Sequence, residues 1–222
     1  MKKYWAEFLG TFILVFVGTG AIMINDITGS VTHLGVGLSF GLVVMAMIYT
    51  IGGISGCHIN PAVTIAFWIA KKFEGREVIP YISFQTAGGI LASAILYYIL
   101  PEANTMGETL VKDGNWQQSF ILEFILTFIL MFVILNVSNG SKEEGIIAGL
   151  AIGAVVAFEA TFAGPICGAS MNPARSIAPA LFGDTSYLWV YIVSTTLGSV
   201  LAVYSCRLIQ EKIDVRNVNF LF

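Results

Sequence analysis

The chain carries Asn-Pro-Ala twice, at Asn60-Pro61-Ala62 and at Asn172-Pro173-Ala174. Asn is a strong helix N-cap, and Pro at the first helical position has a pre-set φ and no N–H to lose, so each motif predicts a helix start. A helix beginning there presents the positive end of its dipole together with an Asn amide. Two such ends set face to face repel cations, while the amides donate hydrogen bonds to a neutral hydroxylic molecule between them. This is chemistry of recognition and passage. Bond-making chemistry has little to work with: the chain has no Ser/His/Asp set, metal cluster or phosphate loop, and only 2 histidines, His33 and His58. No enzyme activity, cofactor or metal is expected.

Arg175 lies one turn beyond Asn172, where a charge at membrane depth must face water or a partner, and an ion pair with Glu159 is the structural alternative. Glu7 and Glu123 are carboxylates in apolar stretches and are costly there unless partnered. They read either as a proton relay or as buried support, and a relay would defeat a pore that excludes protons. Irregular backbone at membrane depth is tolerated only where it lines a cavity. The residues before each motif, Gly56, Cys57, His58 and Ile59 and then Gly168, Ala169, Ser170 and Met171, are therefore candidates to turn carbonyls into a pore. Gly56 and Gly168 permit the tight bends, which structural need alone would also explain.

The elements that must position these residues follow from composition. With 222 residues, 56% hydrophobic and 11% charged, and a mean hydropathy of +0.81, the chain belongs in a lipid bilayer. A net charge of -3 without a basic cluster excludes nucleic acid as a partner. Cys57, Cys167 and Cys206 lack zinc-type spacing and indicate no disulfide framework. The apolar N-terminal segment reads as a retained span, because equally apolar segments follow it.

Six stretches are long enough to cross, roughly 4–25, 34–55, 78–100, 118–137, 145–163 and 187–207. Two shorter apolar pieces, residues 60–70 and 172–182, reach about halfway through a ~30 Å core at about 1.5 Å per residue and read as re-entrant half-helices. Of the 11 Lys and Arg, Lys2, Lys3, Lys71, Lys72, Arg76, Lys142, Arg207, Lys212 and Arg216 fall on one side if both termini are cytoplasmic. The halves repeat: Trp5-Ala6-Glu7-Phe8-Leu9-Gly10-Thr11-Phe12 resembles Ile121-Leu122-Glu123-Phe124-Ile125-Leu126-Thr127-Phe128, and Gly37, Leu38, Gly41 and Asn60 recur as Gly149, Leu150, Gly153 and Asn172. Three spans per half make the repeats inverted, so their half-helices enter from opposite faces and meet near the midplane. The expected organisation is one channel domain over 1–222, with repeats at roughly 1–100 and 117–210, an outer loop at 101–117 and a cytoplasmic tail at 211–222.

Ser55-Gly56-Cys57-His58-Ile59-Asn60-Pro61-Ala62-Val63-Thr64 and Gly168-Ala169-Ser170-Met171-Asn172-Pro173-Ala174-Arg175-Ser176 resemble the two signature loops of the aquaporin, or major intrinsic protein, family. The resemblance implies an all-α membrane fold of six transmembrane helices plus two re-entrant half-helices, in a homotetramer with one pore per subunit in the cell membrane. It assigns the loop carbonyls to an acceptor ladder, Glu7 and Glu123 to buried support of the loops, and Arg175 to the selectivity filter. The remaining filter positions fall on Phe40, Ala160 and Ala169. Water-selective members usually have His where this chain has Ala160, so the filter is expected to be broader and more apolar. Glycerol facilitators usually carry Asp where Ser176 follows Arg175. The run Phe162-Ala163-Gly164-Pro165-Ile166-Cys167-Gly168-Ala169-Ser170-Met171 looks most like the nodulin-like intrinsic proteins, which pass glycerol, urea and metalloid hydroxides as well as water. Glu159 departs from the family's apolar residue; it either pairs with Arg175 or a polar mouth residue, or faces a subunit contact or the outer interface. Cys167 is either a site of mercurial block or a small buried thiol.

The expected function is a passive channel for water and small uncharged solutes. A secondary transporter with broken helices is the runner-up, disfavoured by the lack of ion-coupling carboxylates on the half-helices. A strictly water-selective pore and a non-conducting structural member of the fold are the other readings.

Overall fold

The structure, a computed structural model, describes residues 1–138 and 142–209. The tail expected at 211–222, with Lys212 and Arg216, lies outside the described residues. The described residues form helices and no strand: α1 (Lys2–Thr28), α2 (Thr32–Ser55), α3 (Pro61–Ile69), α4 (Gly75–Ile99), α5 (Trp116–Val137), α6 (Lys142–Cys167), α7 (Pro173–Ala180) and α8 (Leu188–Ile209). All except α3 and α7 are long and apolar enough to cross a membrane, 6 spans among the described residues. α3 has 9 residues and α7 has 8; at ~1.5 Å per residue neither reaches halfway through a ~30 Å core.

Helix ends differ from the sequence expectation for local reasons. α1 continues past residue 25 to Thr28 and stops at Gly29, whose left-handed φ of 66° lets its N–H return to the Asn25 carbonyl at 2.8 Å. α6 runs through Pro165 to Cys167 and is closed by Gly168 at φ 85°, its N–H on the Gly164 carbonyl at 3.0 Å. Pro165 has no N–H for the carbonyl one turn back, that of Thr161. The ring of His33, at the start of α2, takes that carbonyl at 2.7 Å, so His33 donates through Nε2. The half-helices end at Ile69 and Ala180, slightly short of the expected residues 70 and 182.

The packing follows the repeat. α1 lies on α4 and α5 on α8, and in each pair a glycine lets the backbones touch: a Cβ on Gly88 would strike the Phe8 carbonyl, and one on Gly198 the Phe124 carbonyl. α2 crosses α6 where Gly41 meets the Gly153 carbonyl and Ala157. Small residues at these crossings suit helix association in lipid, where close van der Waals approach has to do what the hydrophobic effect does in water.

Candidate functional site

Each Asn-Pro-Ala begins its half-helix. Asn60 is extended (φ -158°, ψ 119°) and its Oδ1 accepts the Ala62 N–H at 2.9 Å. Asn172 is likewise extended (φ -152°, ψ 109°) and accepts from Ala174 at 3.0 Å and Arg175 at 3.3 Å. Pro61 and Pro173 open the helices, and Ala62 and Ala174 are fully buried behind them. The two motifs then clasp each other: Asn60 Nδ2 donates to the Met171 carbonyl at 2.7 Å and Asn172 Nδ2 to the Ile59 carbonyl at 2.8 Å. A primary amide has a second N–H, so each Asn keeps one donor for a molecule between the tips.

The preceding loops share one strained pattern, with left-handed φ at Gly56 (83°), Cys57 (48°) and Ile59 (40°) and again at Gly168 (85°), Ala169 (42°) and Met171 (54°). Non-glycine residues held there cost on the order of 1–3 kcal/mol each and need surroundings that enforce them. The buried carboxylates are that enforcement. Glu7 accepts the His58 N–H at 2.9 Å and the Ile59 N–H at 2.7 Å; Glu123 accepts those of Ser170 at 2.7 Å and Met171 at 2.9 Å. Because a trans peptide points its C=O opposite to its N–H, the carbonyls of Cys57, His58, Ala169 and Ser170 face away from the carboxylates. Gly56, Cys57, His58, Ile59, Ala169, Ser170 and Met171 all line one cavity of about 100 Å³, together with Asn60, Asn172 and Arg175. Gly168 is not among its lining residues and packs instead on Thr109.

Sequence reasoning did not reach the partners that complete the Glu7 site. Ser55 Oγ donates to its Oε1 and Gln85 Nε2 to its Oε2, both at 2.7 Å, and the Tyr81 hydroxyl fixes the Ser55 carbonyl at 2.9 Å. Gln85 carried a readable signal, an amide alone in an apolar span. In the second half Cys167 stands in the place of Ser55: its thiol is fully buried, lies on the Ala163 carbonyl at 3.5 Å as the Ser55 hydroxyl lies on that of Ile51, and is a weaker donor beside Glu123.

Phe40, Ala169 and Arg175 converge on the cavity. The Arg175 guanidinium lies 5.0 Å from the Phe40 ring centroid and donates through Nη1 to the Gly107 carbonyl at 2.8 Å. Gly107, in the loop after α4, is a partner that no motif marked. Ala160 is buried in the apolar cluster that also holds Phe40 and Ala169, but it is not among the residues lining the cavity. Glu159 takes neither of its expected places. It is 1% exposed, inside the chain and not at an outer face; both carboxyl oxygens lack a hydrogen-bond partner, and among the described residues no ion pair joins it to Arg175. Its charged neighbour is the like-charged Glu123.

Comparison with known proteins agrees with this architecture. A family model described as Major intrinsic protein matches residues 1–205. A Nicotiana alata protein described as a probable aquaporin NIP-type is 43% identical over 95% of this chain and 78% of its own length. A Lactiplantibacillus plantarum protein described as glycerol uptake facilitator protein-like 6 is 41% identical over 96% of this chain and 100% of its own length. Among solved structures, the aquaglyceroporin of Plasmodium falciparum superposes with a TM-score of 0.83 at 27% identity, covering 94% of this chain and 96% of that one. With a single family model running from the first residue through α1 to most of α8, and with these two relatives alike over nearly the whole chain, the protein belongs to the major intrinsic protein family.

Proposed function

We propose that the clasped half-helices and the cavity they line form a broad neutral-solute pore, with Phe40, Ala160, Ala169 and Arg175 as its filter. As a member of this family the chain is a passive, multi-pass membrane channel for water and small neutral solutes, and it is not an enzyme. Breadth is supported by one observation above the others: beside the aromatic ring of Phe40, the filter set has a single charged donor, Arg175, with methyl groups at Ala160 and Ala169 where a second donor would narrow it. Glycerol, urea and metalloid hydroxides pass as well as water. The relatives described as a glycerol uptake facilitator and an aquaglyceroporin support the same reading. Both termini face the cytoplasm of a cell membrane, in keeping with the basic residues at the α1, α3 and α4 ends, and the working unit is a homotetramer.

A proteoliposome swelling series with water, glycerol, urea and boric acid ranks the permeants directly, and Ala160→His tests the filter. The variant is expected to lower glycerol and urea flux more than water flux. Equal loss of all fluxes, or none, would remove Ala160 from the filter; saturable, gradient-coupled uptake would make the protein a transporter.

A further inference from the structure

Besides the Arg175 bond to the Gly107 carbonyl, the segment that carries Gly107 is tied to the second re-entrant loop by a run of hydroxyls whose directions can be assigned. Thr109 Oγ1 donates to Ser176 Oγ at 2.9 Å, and Ser176 Oγ lies 2.5 Å from Ser170 Oγ. Ser170 Oγ donates its one proton to the Asn172 carbonyl at 2.9 Å while accepting the Asn172 N–H at 3.3 Å. A hydroxyl has one hydrogen, so Ser176 must be the donor to Ser170, and its oxygen is then free to accept from Thr109. The bonds run one way, from Thr109 through Ser176 and Ser170 to the Asn172 carbonyl. All four residues are buried, where aligned hydrogen bonds polarise and strengthen one another.

We propose that Thr109 is a specificity-determining positioning residue: its hydroxyl heads a one-way chain that locks residues 106–109 onto the second Asn-Pro-Ala loop and so holds the Gly107 carbonyl on Arg175. Two further contacts close the same segment. The Met106 N–H is held by the Glu108 carboxylate at 2.6 Å. Gly107 sits at φ 66° with Thr19 of α1 so near that a Cβ would approach its Cβ and carbonyl to 3.0 Å. An Arg175 released from Gly107 would have no fixed acceptor for Nη1, and its Nε already has none. The outer segment thus sets where the filter's charge sits, and solute discrimination depends on a residue that is not itself a filter position. Ser176 has a defined part in this, because an ionised acid at that position would only accept and could not donate to Ser170.

This inference rests on Arg175 being the filter charge, so the two are tested together. Water and glycerol permeability and cation leak are measured in proteoliposomes for Thr109→Val, Thr109→Ser, Ser176→Ala, the Thr109→Val/Ser176→Ala double variant and Arg175→Val. Loss of one net hydrogen bond makes release of the segment about fivefold more frequent. Thr109→Val and Ser176→Ala should each raise the glycerol-to-water ratio and cation leak by up to about that factor. The double variant should do no more than either single one, because the chain acts as a unit. Thr109→Ser should restore wild-type ratios, which general loosening would not. Wild-type ratios in Thr109→Val with altered ones in Arg175→Val overturn the latch and leave the filter; unchanged ratios in both overturn both. Should Thr109→Val fail to fold, a wild-type ratio in Ser176→Ala overturns the latch by itself.

Discussion

Glu7 and Glu123 occupy matching places in the two repeats, yet their surroundings differ, and the difference fixes what each is worth. Glu7 accepts from His58, Ile59, Ser55 and Gln85, so its two oxygens use their acceptor sites fully. Glu123 accepts from Ser170 and Met171 and has the Cys167 thiol, a weak donor, beside it, while its neighbour Glu159 offers it no donor when ionised. Truncating either carboxylate leaves buried N–H groups unsatisfied at about 1–3 kcal/mol each, but Glu7→Ala also removes the shorter acceptor of the Ser55 hydroxyl and one acceptor of the Gln85 amide, where Glu123→Ala removes only that of the weaker Cys167 thiol. Glu7→Ala should therefore lower the melting temperature in detergent clearly further than Glu123→Ala, and equal losses would show that the side-chain partners add nothing. Glu159 predicts the opposite sign. A carboxyl buried with both oxygens unpartnered is a standing cost, and replacing such a group by an apolar one of similar size is neutral or stabilising. Glu159→Leu should hold or raise the melting temperature by an amount worth about 1–3 kcal/mol; a marked fall would reveal a partner for Glu159, such as a bridging water.

At the scale of the helices, glycines divide into those that accommodate a neighbour and those that shape the chain. Gly198 meets the Phe124 carbonyl across the α5–α8 contact, so Gly198→Ala drives a methyl group into backbone that cannot yield, whereas Gly29 has nothing within 4 Å and needs only its left-handed φ. Gly29→Ala should cost roughly 1–2 kcal/mol, the penalty of the left-handed conformation, while Gly198→Ala should sharply reduce the folded protein recovered from membranes. Comparable recoveries would mean that α5 and α8 separate more readily than this contact suggests. The same contrast explains how much of the fold was legible in the sequence. The half-helices, their caps and the inverted order rest on local chemistry, Asn before Pro and a repeated apolar period, and so could be read from the chain directly. His33 on the Thr161 carbonyl and Gly107 on Arg175 could not, since each joins residues brought together only by tertiary packing. Glu159 stood out as an anomaly, but its burial depends on how α6 packs beside α5, which the sequence of α6 alone does not contain.

For the whole molecule, the two halves meet through a reciprocal clasp, Asn60 on the Met171 carbonyl and Asn172 on the Ile59 carbonyl. Each side chain does three things: it caps its own helix through Oδ1, grips the opposite loop through one N–H and leaves the other N–H free. Asn→Asp at either position preserves shape and capping but replaces the gripping donor with an oxygen facing a carbonyl, and adds a negative charge between two positive helix ends. The added charge lowers the barrier that those ends raise against cations. Asn60→Asp and Asn172→Asp should therefore both raise cation leak and depress glycerol flux in proteoliposomes. If the clasp joins equivalent halves, the two variants should do so to a similar degree, since the grips are nearly equal in length. Asn172, however, also caps the helix that carries Arg175, accepting its N–H. A leak confined to Asn172→Asp would place the whole cation barrier at Arg175, and a leak confined to Asn60→Asp would place it at the first tip; a leak in both locates the barrier at the junction itself, which is what two opposed half-helix dipoles require.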